Sequence, residues 1–192
     1  KMVSSNDVKR ILTDSKEIEQ VLDETFANVF LKNSMKFSVQ NISGRNLLAR
    51  NTMLYTINRM LNVDYLRAPF FLIAHEQKVL HKIELGDSNV EHEVYLGGII
   101  DRIERKEGAI HIIDYKTGTF KKGKGEFVSV AELFNPQKND LVKEVFQIFC
   151  YSLAKNNEFD GEAIKPCLWF VKRVKPGEKP SIQLKGNSKS SR

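Results

Sequence analysis

Apolar residues in the first third of the chain recur at the three- and four-residue spacing of amphipathic helices. One such stretch covers residues 7–31 and is interrupted near Thr13-Asp14-Ser15, where Ser15 could cap a second helix. Another covers residues 44–62. The polar face of that stretch fits either a solvated surface or contact with phosphate, and it carries Arg45, Arg50 and Arg59. The pattern therefore predicts an N-terminal helical portion.

A further helix is predicted from Asn139 or Asp140, either of which can act as the N-cap, to about Asn156. Gln147 and Tyr151 are four residues apart and therefore share one face of this helix. We expect the packing stripe to lie on a neighbouring face and to consist of Val142, Val145, Phe146, Phe149 and Leu153.

Strand-like runs occupy the middle of the chain and its later part. After Pro69, residues 70–76 read as a buried strand that continues, directly or after a turn, into residues 78–85, and residues 164–174 read as a last strand. Between them, residues 97–118 form two β-branched runs separated by a polar break that ends in glycine. This pattern is typical of a β-hairpin with a two-residue turn at Glu107-Gly108.

Such a turn fixes the register of the hairpin. Cross-strand partners have residue numbers that add up to 215, so Asp101 is predicted to lie directly opposite Asp114. Since side chains alternate between faces of a strand, both acids should share the more apolar face. That face would carry Ile99, Asp101, Ile103, Ile110, Ile112, Asp114 and Lys116.

Two carboxylates directly across a sheet are about 5 Å apart and repel by roughly 3 kcal/mol at an effective dielectric constant near 20. Lys116, on the same face, supplies one compensating charge, and a bridging divalent cation would supply the rest. Mg²⁺ or Mn²⁺ prefers such oxygen ligands. The alternative is a plain ladder of ion pairs on an exposed sheet, which the flanking isoleucines make less favourable.

Composition and charge fit this picture of a soluble globular protein. The chain has 192 residues, of which 41% are hydrophobic and 28% charged, and this length suits one domain. It has no run of 18 apolar residues, so we expect no membrane contact and a cytoplasmic location. The net charge of +6 favours anionic partners such as DNA. Because the chain begins at Lys1 rather than methionine, we expect either a trimmed protein or a piece of a longer one.

Several partial motifs can be set aside. Cys150 and Cys167 lack the spacing of a zinc site or a disulfide framework and read as buried thiols. His75-Glu76 with His81 has the wrong spacing for a zinc protease. Residues 118–125 fit G-x-x-x-x-G-K, but a phosphate-binding loop needs Ser or Thr next. We interpret that segment as a flexible basic loop that contacts a DNA backbone through Lys121, Lys122 and Lys124.

The hairpin motifs resemble those of the PD-(D/E)XK nucleases, specifically the RecB-like branch. The matching segments are Gly98-Ile99-Ile100-Asp101-Arg102-Ile103 and Asp114-Tyr115-Lys116-Thr117-Gly118, together with the Gln-x-x-x-Tyr pattern at Gln147 and Tyr151. The resemblance implies an α/β fold of mixed α+β type, with a central mixed sheet flanked by helices and a restriction-endonuclease-like core. It implies a domain over residues 1–174, with a helical portion at 1–63 and the nuclease core at 68–174, followed by a C-terminal strand or turn and a flexible basic tail at 175–192.

The resemblance also implies residue roles. Asp101, Asp114 and Lys116 would be catalytic, and the two aspartates with the Tyr115 carbonyl would hold Mg²⁺ or Mn²⁺. Glu76, on the preceding strand, would lie near the metal or brace the lysine. Gln147 and Tyr151 would order the active site and contact DNA. Relatives with an iron–sulfur cluster use four cysteines, so two cysteines exclude that cluster here.

The function implied is a metal-dependent DNA nuclease, acting as the exonuclease module of an AddB- or RecB-type helicase–nuclease in recombination and repair. DNA and a helicase domain or subunit are the expected partners. Many RecB-like nucleases also have a histidine upstream of the core, whereas no histidine precedes His75 in this sequence. A catalytically degenerate nuclease fold that binds DNA or a partner protein is therefore the alternative.

Overall fold

The structure, a computed structural model, describes residues 1–30, 42–85, 92–118, 126–127, 131, 134–135, 142–172 and 183–184. The chain divides into two compact units, with the break between Pro69 and Phe70. The helical unit contains Val3–Pro69, and the sheet unit contains Lys1–Met2 and the described residues from Phe70 onward. The division into residues 1–174 and a tail at 175–192 stays a prediction, and only residues 183–184 of that tail are described.

The helical unit contains α1 (Ser5–Thr13), α2 (Ser15–Thr25), a π-helical turn (Phe26–Phe30) and α3 (Gly44–Arg67). The break between the first two helices falls where the sequence predicts it. The cap is Asp14 rather than Ser15, because the Asp14 carboxylate accepts the backbone N–H of Glu17 at 3.1 Å. Helix α3 continues past the predicted end at residue 62 and stops before Pro69.

Arg50 differs from both expectations for the arginines of α3. It is buried, and its guanidinium donates to Asp23 at 2.7 Å and to Glu19 at 2.9 Å. These two carboxylates of α2 raise the pKa of Arg50 above its ordinary value, chiefly through the hydrogen bonds. Arg50 therefore joins α2 to α3 and is neither a solvated surface residue nor a phosphate ligand.

The sheet unit is built on a five-stranded mixed sheet in the order β1-β2-β3-β4-β6. Its strands are β1 (Met2–Val3), β2 (Phe70–Leu85), β3 (His92–Lys106), β4 (Ala109–Lys116) and β6 (Ala163–Phe170). Strand β3 is antiparallel to both of its neighbours, β2 and β4, whereas β4 and β6 are parallel. The connection between β4 and β6 contains β5 (Glu126–Phe127), which pairs with β7 (Gln183–Leu184), and α4 (Val142–Lys155). The predicted mixed sheet with helices is confirmed.

The hairpin register is confirmed along the paired part of β3 and β4. Pairs run from Lys106↔Ala109 to Arg102↔Ile113, as a two-residue turn requires. Both turn residues have positive φ, 51° at Glu107 and 71° at Gly108, which is the geometry of a type I′ turn. Two-residue turns of this kind match the right-handed twist of the strands, which is why the short polar break ending in glycine predicts this register.

The predicted face of β3 is wrong at Ile99. Ile99 is 44% exposed, whereas its neighbour Ile100 is fully buried in the same apolar cluster as Ile103. Two residues three apart on a strictly alternating strand would lie on opposite faces. The alternation is therefore interrupted between them, at the level where Glu76 of β2 has a φ of 48°.

Helix α4 packs on the sheet through part of the predicted stripe, since Val145 and Phe149 contact the core, but Phe146 and Leu153 of that stripe are exposed. Val145 and Ile148 are fully buried and Tyr151 is 6% exposed, whereas Phe146 is 39% and Leu153 is 49% exposed. The apolar residues of this helix fall on two overlapping faces, each with the 3.6-residue spacing of a helix, and the periodicity alone cannot show which face packs on the sheet. Contact with Ile100, Ile103 and Ile112 of the sheet selects the phase that contains Val145 and Ile148.

Candidate active site

The paired ladder between β3 and β4 ends beside two aspartates. The last pair is Arg102↔Ile113, so Asp101 and Asp114 occupy the next position along the two strands. Just beyond this pair, the backbone N–H of Tyr115 donates to the side-chain carboxylate of Asp101 at 2.6 Å. The register thus brings the two acids to one end of the hairpin, while the direct pairing of Asp101 with Asp114 stays a prediction.

Asp114 is the more buried of the two acids, at 4% exposure, and forms an ion pair with Lys116 at 2.6 Å. Burial raises the pKa of the Asp114 carboxyl above its usual range, because desolvation disfavours the charged form. Lys116 opposes this shift, whereas the negative charges of Asp101 and Glu144 add to it. The net pKa shift is upward, so the ionised form of Asp114 is disfavoured here and would be stabilised by an additional cation.

Lys116 is held in place by the Gln-x-x-x-Tyr pattern of α4. Its ammonium donates to Gln147 Oε1 at 2.9 Å, and Gln147 Nε2 donates to the Tyr151 hydroxyl at 2.8 Å. Tyr151 in turn lies against Gly98 of β3, where a Cβ would be 2.7 Å from Tyr151 Cε1. The glycine of the first motif therefore leaves room for the tyrosine of the last one.

A groove of about 500 Å³ begins at Lys116 and follows α4. Apolar atoms line much of it, and its charged lining residues are Lys116, Lys143 and Glu144. The sequence patterns did not single out Lys143, Glu144 or Phe146 as site residues. Glu144 and Lys143 lie three and four residues before Gln147, and this spacing on a helix was the signal available.

The residues at this end of the hairpin suit a hard divalent cation. Asp101 and Asp114 offer carboxylate oxygens, and Tyr115, the residue after Asp114 on β4, offers its backbone carbonyl. Over the described ranges, no three histidine, cysteine, aspartate or glutamate side chains are grouped closely enough to hold a metal ion. Mg²⁺ commonly binds one or two carboxylates and keeps several waters, so the donor set fits Mg²⁺ or Mn²⁺ with water completing the coordination.

Glu76 lies on β2 between His75, which pairs with Arg102, and Gln77, which pairs with Ile100. It is therefore level with Asp101 on the neighbouring strand. Its φ of 48° is unusual for a residue with a side chain inside a strand, and such strain is found more often at functional sites. Glu76 is exposed, and its role near the metal stays a prediction.

The opposite face of the hairpin holds a buried charged cluster. The guanidinium of Arg102 lies 2.5 Å from Glu104, donates to the Tyr115 hydroxyl at 3.2 Å and covers the ring of Phe70 at 4.5 Å. The Tyr115 ring also meets Trp169 edge-on at 5.7 Å. Tyr115 is thus held by its side chain on one face while its backbone N–H binds Asp101.

The structure therefore brings together Asp101, Asp114, Lys116, Gln147 and Tyr151, five residues that the sequence singles out. Lys121, Lys122 and Lys124 of the basic loop lie outside the described residues. None of the helices in the described ranges is long and apolar enough to cross a membrane.

Comparisons with known proteins agree with this geometry. The family model described as the PD-(D/E)XK nuclease superfamily matches residues 3–190. RecBCD enzyme subunit RecB from Borreliella burgdorferi is 26% identical over 145 residues, which cover 71% of this chain and 12% of that protein. This similarity supports the RecB-like branch, although the chain spans only that small share of its relative. No solved structure matches. The chain belongs to the PD-(D/E)XK nuclease superfamily.

Proposed function

We propose that this chain is a Mg²⁺- or Mn²⁺-dependent deoxyribonuclease that hydrolyses phosphodiester bonds. The observation that carries the proposal is the meeting of Asp101, Asp114 and Lys116 at one end of the β3–β4 hairpin. Ladders of ion pairs on exposed sheets do not bury one of their acids, whereas Asp114 is 4% exposed and has a raised pKa.

In this reaction a water oxygen bonds to phosphorus while the bond from phosphorus to a sugar oxygen breaks. A divalent cation, bound by Asp101, Asp114 and the Tyr115 carbonyl, would lower the pKa of a bound water and offset the charge of the phosphate. Lys116 has three N–H donors; Gln147 Oε1 accepts one of them, and the ammonium also forms an ion pair with Asp114 at 2.6 Å. A remaining N–H can bind a phosphate oxygen or orient the attacking water.

Gln147 and Tyr151 would act as positioning residues that orient the ammonium group of Lys116. The two hydrogen bonds from Lys116 to Gln147 and from Gln147 to Tyr151 fix the direction of the ammonium before substrate arrives. A pre-oriented charge avoids reorganisation at the moment of reaction, which is how enzymes gain most from electrostatic stabilisation.

The test is cleavage of linear DNA with Mg²⁺, Mn²⁺ or EDTA. We expect cleavage with either metal and none with EDTA. Asp114→Ala and Lys116→Ala should each reduce the rate by at least about 100-fold, the size of effect seen when one group that stabilises a transition state is removed. Lys165→Ala is the matched control, because Lys165 is an exposed lysine paired with His111, far along the sheet from Lys116. Equal rates in all three variants would refute the assignment of the site.

A DNA- or partner-binding fold without catalysis is the second candidate. It is favoured by the two-carboxylate donor set, since no third metal-binding side chain joins Asp101 and Asp114 among the residues described. In that case DNA binding would weaken with salt, as contacts to phosphate require, and no metal would produce cleavage.

The exonuclease role in recombination and repair, the helicase partner and the cytoplasmic location are part of the same proposal. They are supported by the similarity to RecB, which covers 12% of that protein. We expect DNA-stimulated ATP hydrolysis to co-purify with this chain from its native source. Nuclease activity that separates from ATP hydrolysis would contradict the helicase partnership.

A further inference from the structure

The groove beside Lys116 extends farther along α4 than a phosphate group requires. Its lining continues on the helix from Gln147 to Ala154, which corresponds to roughly 10 Å at the rise of an α-helix. Besides its three charged residues and the polar Gln147 and Tyr151, the groove is lined by Val79, Leu96, Gly97, Phe146, Cys150 and Ala154. A lining that combines cations with apolar and aromatic surface suits a ligand that carries both a phosphate and a ring.

Phe146 places an aromatic ring at this groove. The ring is 39% exposed and meets Phe134, which is 67% exposed, edge-on with ring centroids 5.7 Å apart. An edge-on contact restricts the orientation of the Phe146 ring and leaves part of its surface accessible. A single exposed phenylalanine has no special meaning. Here, however, the ring belongs to the same groove as two lysines, Lys116 and Lys143.

Sites for single-stranded nucleic acid combine two components, which are cations that contact the backbone and aromatic rings that stack on the bases. The charges fit as well, since Lys116 and Lys143 outnumber Glu144 among the charged lining residues. A base within a duplex is already stacked on both faces, so only an unpaired base can offer a face to Phe146.

We propose that this groove is a base-binding subsite, in which Phe146 stacks on one unpaired nucleobase next to the phosphate that contacts Lys116. The proposal rests on the proposed nuclease function for the position of that phosphate. Phe134 supports the Phe146 ring from the side, and Lys143 contacts the adjoining backbone.

The first experiment maps cleavage of a single-stranded oligonucleotide in which one abasic residue is moved along the strand. The length of each product shows which bond was cut, and therefore how many nucleotides separate that bond from the abasic residue. A base-binding subsite appears as one fixed separation, the offset, at which the missing base suppresses cleavage. We expect about 5- to 20-fold suppression, the lower part of the range for stacking a base on an aromatic ring. In Phe146→Ala the suppression should fall below about 2-fold, because the ring that recognises the base is gone.

Three further variants separate stacking from simple apolar contact. Phe146→Tyr should keep the offset and Phe146→Leu should lose it, since only the first retains a ring. Leu153→Ala is the matched control and should keep it, because Leu153 is an exposed apolar residue of the same helix outside the groove lining. Phe146 is partly exposed, so its variants should melt within a few degrees of the parent.

A second experiment measures binding of the same oligonucleotides by fluorescence anisotropy, with Ca²⁺ in place of Mg²⁺. Cleavage with a flat abasic map in the parent would overturn the subsite and leave the nuclease function standing. Binding that depends on the abasic position and on Phe146, without any cleavage under Mg²⁺ or Mn²⁺, would support the subsite and refute the nuclease function. Neither cleavage nor position-dependent binding would overturn both.

Discussion

Gly98→Ala should damage the active site through the packing of one ring. The added Cβ would be 2.7 Å from Tyr151 Cε1, whereas carbon atoms in contact prefer 3.5–4.0 Å, so the ring must move by about 1 Å. Tyr151 is only 6% exposed, which leaves little space for that movement. Overpacking of this kind costs about 1–3 kcal/mol of the free energy of unfolding.

The same movement should lower activity. It disturbs the 2.8 Å hydrogen bond between Gln147 and Tyr151, and thereby the 2.9 Å bond that orients Lys116. Hydrogen bonds to charged groups are worth about 1.5–3 kcal/mol, so we expect the rate of DNA cleavage to fall by roughly 10- to 150-fold.

The assay is urea unfolding followed by the fluorescence of Trp169, which is the single tryptophan and is fully buried. Gly97→Ala is the matched control, because its Cβ would be 3.1 Å from Leu80 Cδ1, at the end of a flexible, exposed side chain, and 3.3 Å from the Val79 carbonyl oxygen, both milder contacts than the one at Gly98. We expect it to change the free energy of unfolding by less than about 1 kcal/mol. In a Tyr151→Leu background, Gly98→Ala should cost at least about 0.5 kcal/mol less than in the parent. Strict additivity, or equal costs for the two glycine variants, would refute the reasoning.

Four other predictions concern charged groups. Since burial raises the pKa of Asp114, protonation should remove activity at a higher pH than for an exposed aspartate. Because Mg²⁺ competes with the proton for the carboxylate, a higher Mg²⁺ concentration should move this acidic limb of the rate profile to lower pH. An acidic limb that does not change with Mg²⁺ concentration would contradict the role of Asp114 as a metal ligand. The raised pKa also means that the charged Asp114 opposes folding, so Asp114→Asn should melt higher than the parent at neutral pH. Arg102→Met should cost about 3 kcal/mol in urea unfolding because it removes the guanidinium next to buried Glu104, and adding Glu104→Met should recover much of the loss; a double variant as unstable as the single one would argue against the pairing. Arg50→Met should lower the free energy of unfolding by about 1–3 kcal/mol, since it leaves Asp23 mostly buried without its partner, and an unchanged melting curve would contradict a structural role.

Local sequence was enough to predict the hairpin and the residues at its end. A two-residue turn at Glu107-Gly108 favours one register, and the ladder in that register ends at Arg102↔Ile113, the pair next to Asp101 and Asp114. The spacing of Gln147 and Tyr151 likewise fixes their shared helix face, which the hydrogen bond between them uses. These features depend on contacts between residues whose relative geometry the secondary structure already defines.

Side chains that depend on long-range contacts were not predictable in the same way. Arg50 lies on the polar face of α3, and nothing near it in sequence reveals that Asp23 and Glu19 of α2 will bury its charge. The face of α4 that meets the sheet is another example, because Phe146 and Ile148 are both apolar and only the fit against Ile100 and Ile103 decides which is covered.

Periodicity, turn geometry and motif spacing, which act over a few residues, were enough to predict the mixed α/β class, the hairpin register and the acidic, lysine and glutamine residues proposed for the site. The desolvation of Asp114, the hydrogen bond from Lys116 to Gln147 and the exposure of Phe146 at the groove are known only from the folded chain. Desolvation and close packing depend on atoms contributed by elements distant in the chain, whereas register and helical phase depend on the backbone of neighbouring residues.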